Sequence, residues 1–148
     1  MKKIVFLAVI VMLLMTGISY AQLVECTGDK YVIKCYAKAA AAAAVYTPKK
    51  IAYPYTGMWL CAAQNKPGAT APTAAWDYTL TNDFGADLLG TAGMNRSETA
   101  TEIVYPIVDA NTTQRACVPV RGNNLTLTIS GNSVNAADMY IELWFESK

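Results

Sequence analysis

The sequence predicts an all-β protein, a single antiparallel β-sandwich of jelly-roll type with about eight short strands. Three observations lead to this fold class. Apolar and polar residues alternate along several stretches, which is the period of a strand with one buried face. Turn-forming residues separate these stretches at short intervals. No stretch beyond the N-terminal region shows a convincing helical period, so a layered β architecture is favoured.

Residues 76–89 are the stretch around which we expect the rest of the fold to be organised. Trp76, Tyr78 and Leu80 alternate with polar residues, and Asn82-Asp83-Phe84-Gly85 then ends the alternation. Asn and Asp side chains bond to their own backbone in turns, and glycine can adopt the left-handed conformation that a bulged hairpin needs. The apolar pair Leu88-Leu89 follows at once. We therefore expect a β-hairpin that sets the register of the neighbouring sheet.

The remaining strands are predicted from similar patterns. The last strand carries Met139, Ile141, Leu143 and Phe145 on one face and Tyr140, Glu142, Trp144 and Glu146 on the other. Prolines mark edges or interruptions, and residues 65–73 are expected to form a loop. The six consecutive alanines at 39–44 fit a plain connection or a packing surface for another subunit. The other predicted strands are residues 31–36, 49–55, 57–63 (central), 99–108 (interrupted at Pro106), 116–120 (an edge) and 125–130.

The N-terminus has the features of a secretory signal. Met1-Lys2-Lys3 is basic, residues 4–15 are an unbroken apolar run, and Ser19-Tyr20-Ala21 provides a cleavage site. We expect residues 1–21 to be the signal peptide and residues 22–148 to be the β-sandwich domain. The chain would then be exported to the periplasm or the medium and meet the membrane only transiently. An uncleaved anchor is the alternative, although the apolar run is short for a span.

Charge gives no indication of a nucleic-acid partner. The full chain of 148 residues carries a formal charge of +1, from 12 Lys and Arg against 11 Asp and Glu. Loss of Lys2 and Lys3 with the signal would bring this to −1. No basic run or patch is present, so electrostatic binding of nucleic acid is not expected.

The four cysteines predict disulfides. An even number of cysteines in an exported chain favours two bonds. Zinc is the poorer alternative, because no Cys-x-x-Cys pair and no histidine is present. The sequence leaves three connectivities open and weakly favours Cys26–Cys35 with Cys61–Cys117, since the first pair closes a short local loop.

The residue types argue against an enzyme. There is no histidine, which removes the commonest general base and hydrolase triads, and no phosphate-binding loop. We expect no catalytic residue and no cofactor. Calcium at Asn82, Asp83 and Asp87 is a weak candidate, because turn chemistry explains the same residues. A glycosidase-type carboxylate pair would have to come from Asp77, Glu98, Glu102 and Glu142.

Three segments resemble small all-β proteins of tailed bacteriophages and prophages, a largely uncharacterised family. They are residues 71–90 (APTAAWDYTLTNDFGADLLG), Asn95-Arg96-Ser97, and residues 125–133 (LTLTISGNS). Their order and spacing carry the resemblance, which extends over roughly residues 45–145. The resemblance implies a structural or decoration role in the virion and supplies no catalytic residues. The signal and the cysteines set this chain apart from a plain virion protein.

The function expected from the sequence is therefore non-enzymatic. We expect an exported β-sandwich of phage origin that acts in virion decoration, assembly or surface attachment. Its expected partners are further copies of itself or components of a virion or cell surface. Tyr140 and Trp144, on the polar face of the last strand, are the predicted contact residues. The alternative is a bacterial module that binds carbohydrate or another cell-surface component.

Overall fold

A computed structural model describes residues 23–38, 49–109 and 114–147, and this part of the chain is all-β with no helix. The all-β class predicted from the sequence is confirmed. The described residues form eleven strands. They are β1 (Leu23–Gly28), β2 (Val32–Lys38), β3 (Lys49–Ala52), β4 (Met58–Pro67), β5 (Asp77–Asn82), β6 (Glu102–Val104), β7 (Ile107–Asp109), β8 (Gln114–Arg115), β9 (Val118–Pro119), β10 (Asn124–Ser130) and β11 (Asp138–Ser147).

The strands form two main antiparallel sheets. The larger has the order β1-β2-β11-β4-β6, and β9 pairs with β4. The smaller has the order β3-β10-β5, and β7 and β8 form a separate two-stranded ribbon. The long strands β4 and β11 are neighbours, so the centre of the larger sheet is its most extensively paired region.

The pairing follows a jelly-roll winding. Strand β2 pairs with β11, β3 with β10 and β4 with β9, so the pairs are nested one inside the next along the chain. Strand β4 also pairs with β6. Strand β5 pairs on its free side with the segment that follows it, through the Thr81–Asp87 bridge. Two sheets wound by such nested pairs are the arrangement of a jelly roll, which confirms the fold predicted from the sequence.

One apolar core lies between the two sheets. Inward residues of β11 such as Leu143 belong to the same buried cluster as Leu127 of β10 and Leu80 of β5. Trp76 is fully buried, and its indole Nε1 donates to the Ser97 carbonyl at 3.1 Å. Full burial of a large apolar side chain contributes about 1.5–3 kcal/mol, so this shared core holds the sheets face to face.

The turn of the hairpin predicted at residues 76–89 is present in the structure. The Gly85 amide donates to the Asn82 carbonyl at 3.0 Å, and the Asn82 amide donates to the Ala86 carbonyl at 3.1 Å. Gly85 has a φ of 76°, which is the left-handed conformation expected of the bulge residue. Leu88 and Leu89 are buried, and the Leu88 amide donates to the Leu80 carbonyl at 2.7 Å. Beyond the turn, the second arm pairs with β5 through this bond and the Thr81–Asp87 bridge, so it is shorter than a full strand.

The structure corrects three details of the predicted strands. Strand β1 was not predicted, because its residues lack a clean alternation. Strand β4 runs on to Pro67 through residues assigned to a loop, since β11 continues to pair with it there. The register shifts opposite Trp144 and Phe145, which leaves both Ala62 and Ala63 buried. The predicted signal (residues 1–21) and the alanine run (39–44) lie outside the described residues.

Two disulfides fasten the larger sheet. Cys26 bonds to Cys35 across the β1–β2 pair, and Cys61 bonds to Cys117, which ties the segment before β9 to β4. In both, the Cα atoms lie 4.1 Å apart. This is the connectivity that the sequence weakly favoured, and it is compatible with an oxidising location outside the cytoplasm.

Candidate functional site

The outward side of the larger sheet contains a groove of about 440 Å³. We call this surface the outer face and define it by the side chains of β1, β2, β11 and β4 that point away from the core. The groove is lined by Glu25, Thr27, Lys34, Cys35, Tyr36, Gln64, Lys66, Tyr140, Ile141 and Glu142. Its residues come from four neighbouring strands, so the sheet itself positions them.

The strand register aligns these side chains in two rows. One row runs Glu25, Tyr36, Tyr140 and Lys66 from β1 to β4. The next row runs Thr27, Lys34, Glu142 and Gln64 in the same order. Residues directly opposite on neighbouring strands share a face and lie about 4.5–5.5 Å apart at Cβ. The first row, which we call the aromatic row for its central tyrosine pair, has a charged residue at each end and lies beside a charged and polar row.

The aromatic pair at the centre is held in place by a carboxylate. The rings of Tyr36 and Tyr140 have centroids 5.1 Å apart with an interplanar angle of 37°. The Tyr36 hydroxyl donates to Asp138 Oδ1 at 2.7 Å, and this bond is the main reason that the pKa of Tyr36 rises to about 12. The same bond lowers the pKa of Asp138. Tyr140 remains 47% exposed, so its ring is available at the surface.

The second row is organised around Glu142. Its Oε2 lies 3.5 Å from Lys34 Nζ, and its Oε1 accepts a 2.8 Å hydrogen bond from the Trp144 indole. The side chain of Lys34 is 68% exposed, so this ion pair contributes little to stability and leaves the ammonium open to a ligand. Glu142 is thus oriented by Trp144 on its own strand and by Lys34 on the neighbouring strand β2.

The two predicted contact residues occupy different places. Both lie on the outer face, as the alternation in β11 predicted. Tyr140 lines the groove, whereas Trp144 is half-buried, does not line it and orients Glu142. Their role in binding stays a prediction.

The oxygens of the predicted calcium ligands are engaged by backbone amides. Asn82 Oδ1 accepts from the amides of Phe84 and Ala86, at 3.0 and 3.1 Å. Asp87 accepts from Leu89 and Thr91, at 3.0 and 3.2 Å. These are turn and bridge contacts within the hairpin, so the local fold already accounts for both residues.

Asp83 has a longer-range role. Its Oδ2 accepts from the amides of Asn123 and Asn124, at 2.8 and 3.1 Å. The Asn124 side-chain amide donates to both oxygens of the same carboxylate. These amides lower the pKa of Asp83, the Asn123 amide most of all. The carboxylate joins the hairpin tip to the start of β10.

The carboxylates considered for glycoside hydrolysis also have structural partners. Asp77 accepts from the Asn95 amide at 2.7 Å. Glu102 accepts from the Asn65 side chain and the Ser97 amide and lies 3.5 Å from Arg96. Glu98 is half-buried on the loop before β6. These contacts give Asp77 and Glu102 structural roles within the fold.

Among the described residues, one group has metal-ligand spacing: Cys61, Cys117 and Glu146. Its two sulfurs are bonded to each other, so they offer no thiolate to a metal.

Glu25 and Thr27 of β1 were missed by the sequence reasoning, as were four groove residues of β2 and β4: Lys34, Tyr36, Gln64 and Lys66. The alternation of β2 gave a signal for Lys34 and Tyr36, because its buried residues are Ile33, Cys35 and Ala37. What the sequence did not reveal is that β2 and β4 lie on opposite sides of β11. That long-range pairing is what joins the four residues to Tyr140.

In the described part of the chain, no helix is long and apolar enough to cross a membrane. No protein-family model and no curated protein matches this sequence. One solved structure with a similar chain is that of the Gx strain of infectious bursal disease virus, at 11% identity and a TM-score of 0.28. The similarity covers 87% of this chain and 33% of the viral chain, so this chain spans about a third of that chain's length.

Proposed function

We propose that this protein is a non-enzymatic binding protein that attaches through the outer face of its larger sheet. The main support for this proposal is the groove across β1, β2, β11 and β4, with the half-exposed Tyr140 ring at its centre. Exposed aromatic groups beside convergent polar side chains are typical of recognition surfaces. The jelly-roll core needs only the inward faces of these strands, so the aromatic row is not required by packing.

The biological setting we propose is a virion or a cell surface. The resemblance of residues 71–90, 95–97 and 125–133 to tailed-phage proteins supports a phage origin. The signal-like N-terminus and the two disulfides support export to an oxidising location. The protein would then decorate a particle or attach to a surface component after leaving the cytoplasm. Intact mass of the exported protein should show cleavage after Ala21.

The test is capture of the purified exported protein by its candidate partners. It is incubated with host envelope fractions and with phage particles, and sedimentation measures self-association. We expect capture by at least one partner or reversible self-association, and we expect Tyr140→Ala to weaken it. Tyr105→Ala is the matched control, because Tyr105 is 46% exposed and does not line the groove.

The Trp144→Ala variant addresses the second contact residue. Because Trp144 orients Glu142, its loss should weaken association while thermal unfolding changes less. A strictly monomeric protein that neither partner captures would contradict the proposed function. Turnover of a glycan substrate by the purified protein would contradict its non-enzymatic part.

A further inference from the structure

We infer that the groove on the outer face binds a neutral glycan, with a sugar ring packed on Tyr140 and its hydroxyls held by the polar and charged side chains of both rows. This rests on the proposed function and names the chemistry of its surface component. The groove volume of about 440 Å³ is in the range of small-ligand sites, ~300–1,000 Å³.

The aromatic side of the groove is suited to a pyranose ring. An aromatic face carries partial negative charge, and the C–H face of a sugar presents partial positive charge to it. The Tyr140 ring contacts Tyr36, whose hydroxyl is fixed on Asp138 at 2.7 Å. The Gly68 amide donates to the Asp138 carbonyl at 2.8 Å, and there is no room for a side chain at Gly68 beside Asp138. The platform is therefore organised before any ligand arrives, which lowers the entropic cost of binding.

The polar and charged side chains of both rows are suited to hydroxyl groups. Lys34 and Lys66 donate hydrogen bonds, Glu25 and Glu142 accept them, and Gln64 can do both. A sugar hydroxyl both donates and accepts, so a surface that alternates the two kinds of group can satisfy several hydroxyls at once. Because these groups lie in register on neighbouring strands, they project to one side of the sheet.

The groove is poorly suited to two other classes of ligand, acidic ligands and extended peptides. Its lining contains two ammonium groups and two carboxylates, so there is no surplus of either sign to attract a phosphate or an acidic polymer. Lys34 and Glu142 already lie 3.5 Å apart and compensate each other. An extended peptide that adds a strand needs a free sheet edge, whereas this groove lies on a face. A neutral polyhydroxylated ligand fits all of these features.

The experiment is a binding screen of the purified exported protein. The probes are neutral oligomers of glucose, N-acetylglucosamine, galactose and mannose, with uronic acid and sulfated oligomers as the acidic set. Titration calorimetry follows on each hit. We expect a neutral oligomer to bind, Tyr140→Ala to weaken it by about tenfold or more, and Tyr140→Phe to retain it because the ring remains. Tyr105→Ala should bind as the wild type does.

Circular dichroism and thermal unfolding establish that each variant is folded. Preference for the acidic oligomers, or equal losses in Tyr140→Ala and Tyr105→Ala, would overturn the inference. Capture by envelope or particles with no oligosaccharide bound would overturn the inference and leave the proposed function standing. Absence of all oligosaccharide binding, all capture and all self-association would overturn both.

Discussion

The Tyr36 hydroxyl donates a 2.7 Å hydrogen bond to Asp138, from the second strand of the chain to the last. The two residues are 102 positions apart in sequence, and the β2–β11 pairing brings them together. The bond fixes the ring that supports Tyr140 at the centre of the groove. A polar contact at the surface thus determines the shape of the proposed binding platform.

Replacement of Asp138 by Asn should shift the titration of Tyr36. The hydrogen bond to the Asp138 carboxylate stabilises the neutral phenol and raises the pKa of Tyr36 to about 12, so its loss should bring that pKa back toward 10. In the wild type, the stability due to this bond is complete below pH 10 and is lost as the pH rises through about 12. NMR of the tyrosine ring carbons measures the shift. The control is Asp87→Asn, and an unchanged Tyr36 titration in Asp138→Asn would contradict the assignment.

Acid should weaken the link between the hairpin tip and β10. The amides of Asn123 and Asn124 lower the pKa of Asp83 below its ordinary value of 3.8. The stability contributed by the ionised carboxylate is therefore present above pH 3.8 and is lost as the pH falls through the lower folded-state pKa. Asp83→Ala should thus unfold at lower urea than the wild type near neutral pH, and this difference should shrink in acid.

Urea unfolding at several pH values tests the Asp83 contact. Glu146→Gln, which removes an exposed carboxylate far along the chain from the hairpin, controls for net charge. If the Asp83→Ala difference stayed constant across the acid range, the ionised carboxylate would not be its source.

Gly85→Ala should test the hairpin turn alone. A Cβ at position 85 would meet no atom within 4 Å, so the only cost is the left-handed backbone at φ 76°. That cost is about 1–2 kcal/mol for alanine and smaller for asparagine. We expect Gly85→Ala to lower the free energy of unfolding by about 1 kcal/mol, and Gly85→Asn to lower it less. Equal stability of Gly85→Ala and the wild type in urea would show that the turn is not strained by a side chain.

The hairpin also shows how far local sequence can specify structure. Asn82 and Gly85 have local chemistry that dictates their turn, and the alternation of β5, β10 and β11 dictates which residues are buried. The jelly-roll class followed from these local patterns. The end of β4 did not, because residues 64–67 remain in the strand through pairing with β11.

The binding face could be predicted only in part. Alternation in β11 placed Tyr140 and Trp144 outward, but local sequence contains no signal for the Trp144–Glu142 hydrogen bond that separates their roles. Asp83 was considered for an ion site because of its neighbours in the hairpin. Its partners in the structure, Asn123 and Asn124, lie forty or more residues away, so local sequence did not indicate them. Such partners depend on the winding of the whole sandwich.

The two disulfides should differ in their contribution to stability. Cys61–Cys117 joins residues 56 apart, and Cys26–Cys35 joins residues 9 apart. A longer closed loop removes more entropy from the unfolded chain, which gives about 4 kcal/mol for the first bond and about 3 kcal/mol for the second. Denaturant unfolding of the two double alanine variants measures the difference. A larger loss from Cys26→Ala with Cys35→Ala would contradict the loop argument, and thiol labelling of the denatured wild type should find no free cysteine.

Lysine footprinting of the bound protein locates its binding surface. Acetylation followed by mass spectrometry compares the free protein with the protein captured by envelope, particle or its own copies. If the outer face is the binding surface, Lys34 and Lys66, which line the groove, should be protected, and the labelling of Lys30 and Lys50, which do not line it, should be unchanged. Protection of Lys30 or Lys50, with Lys34 and Lys66 labelled as in the free protein, would show that the outer face is not the binding surface.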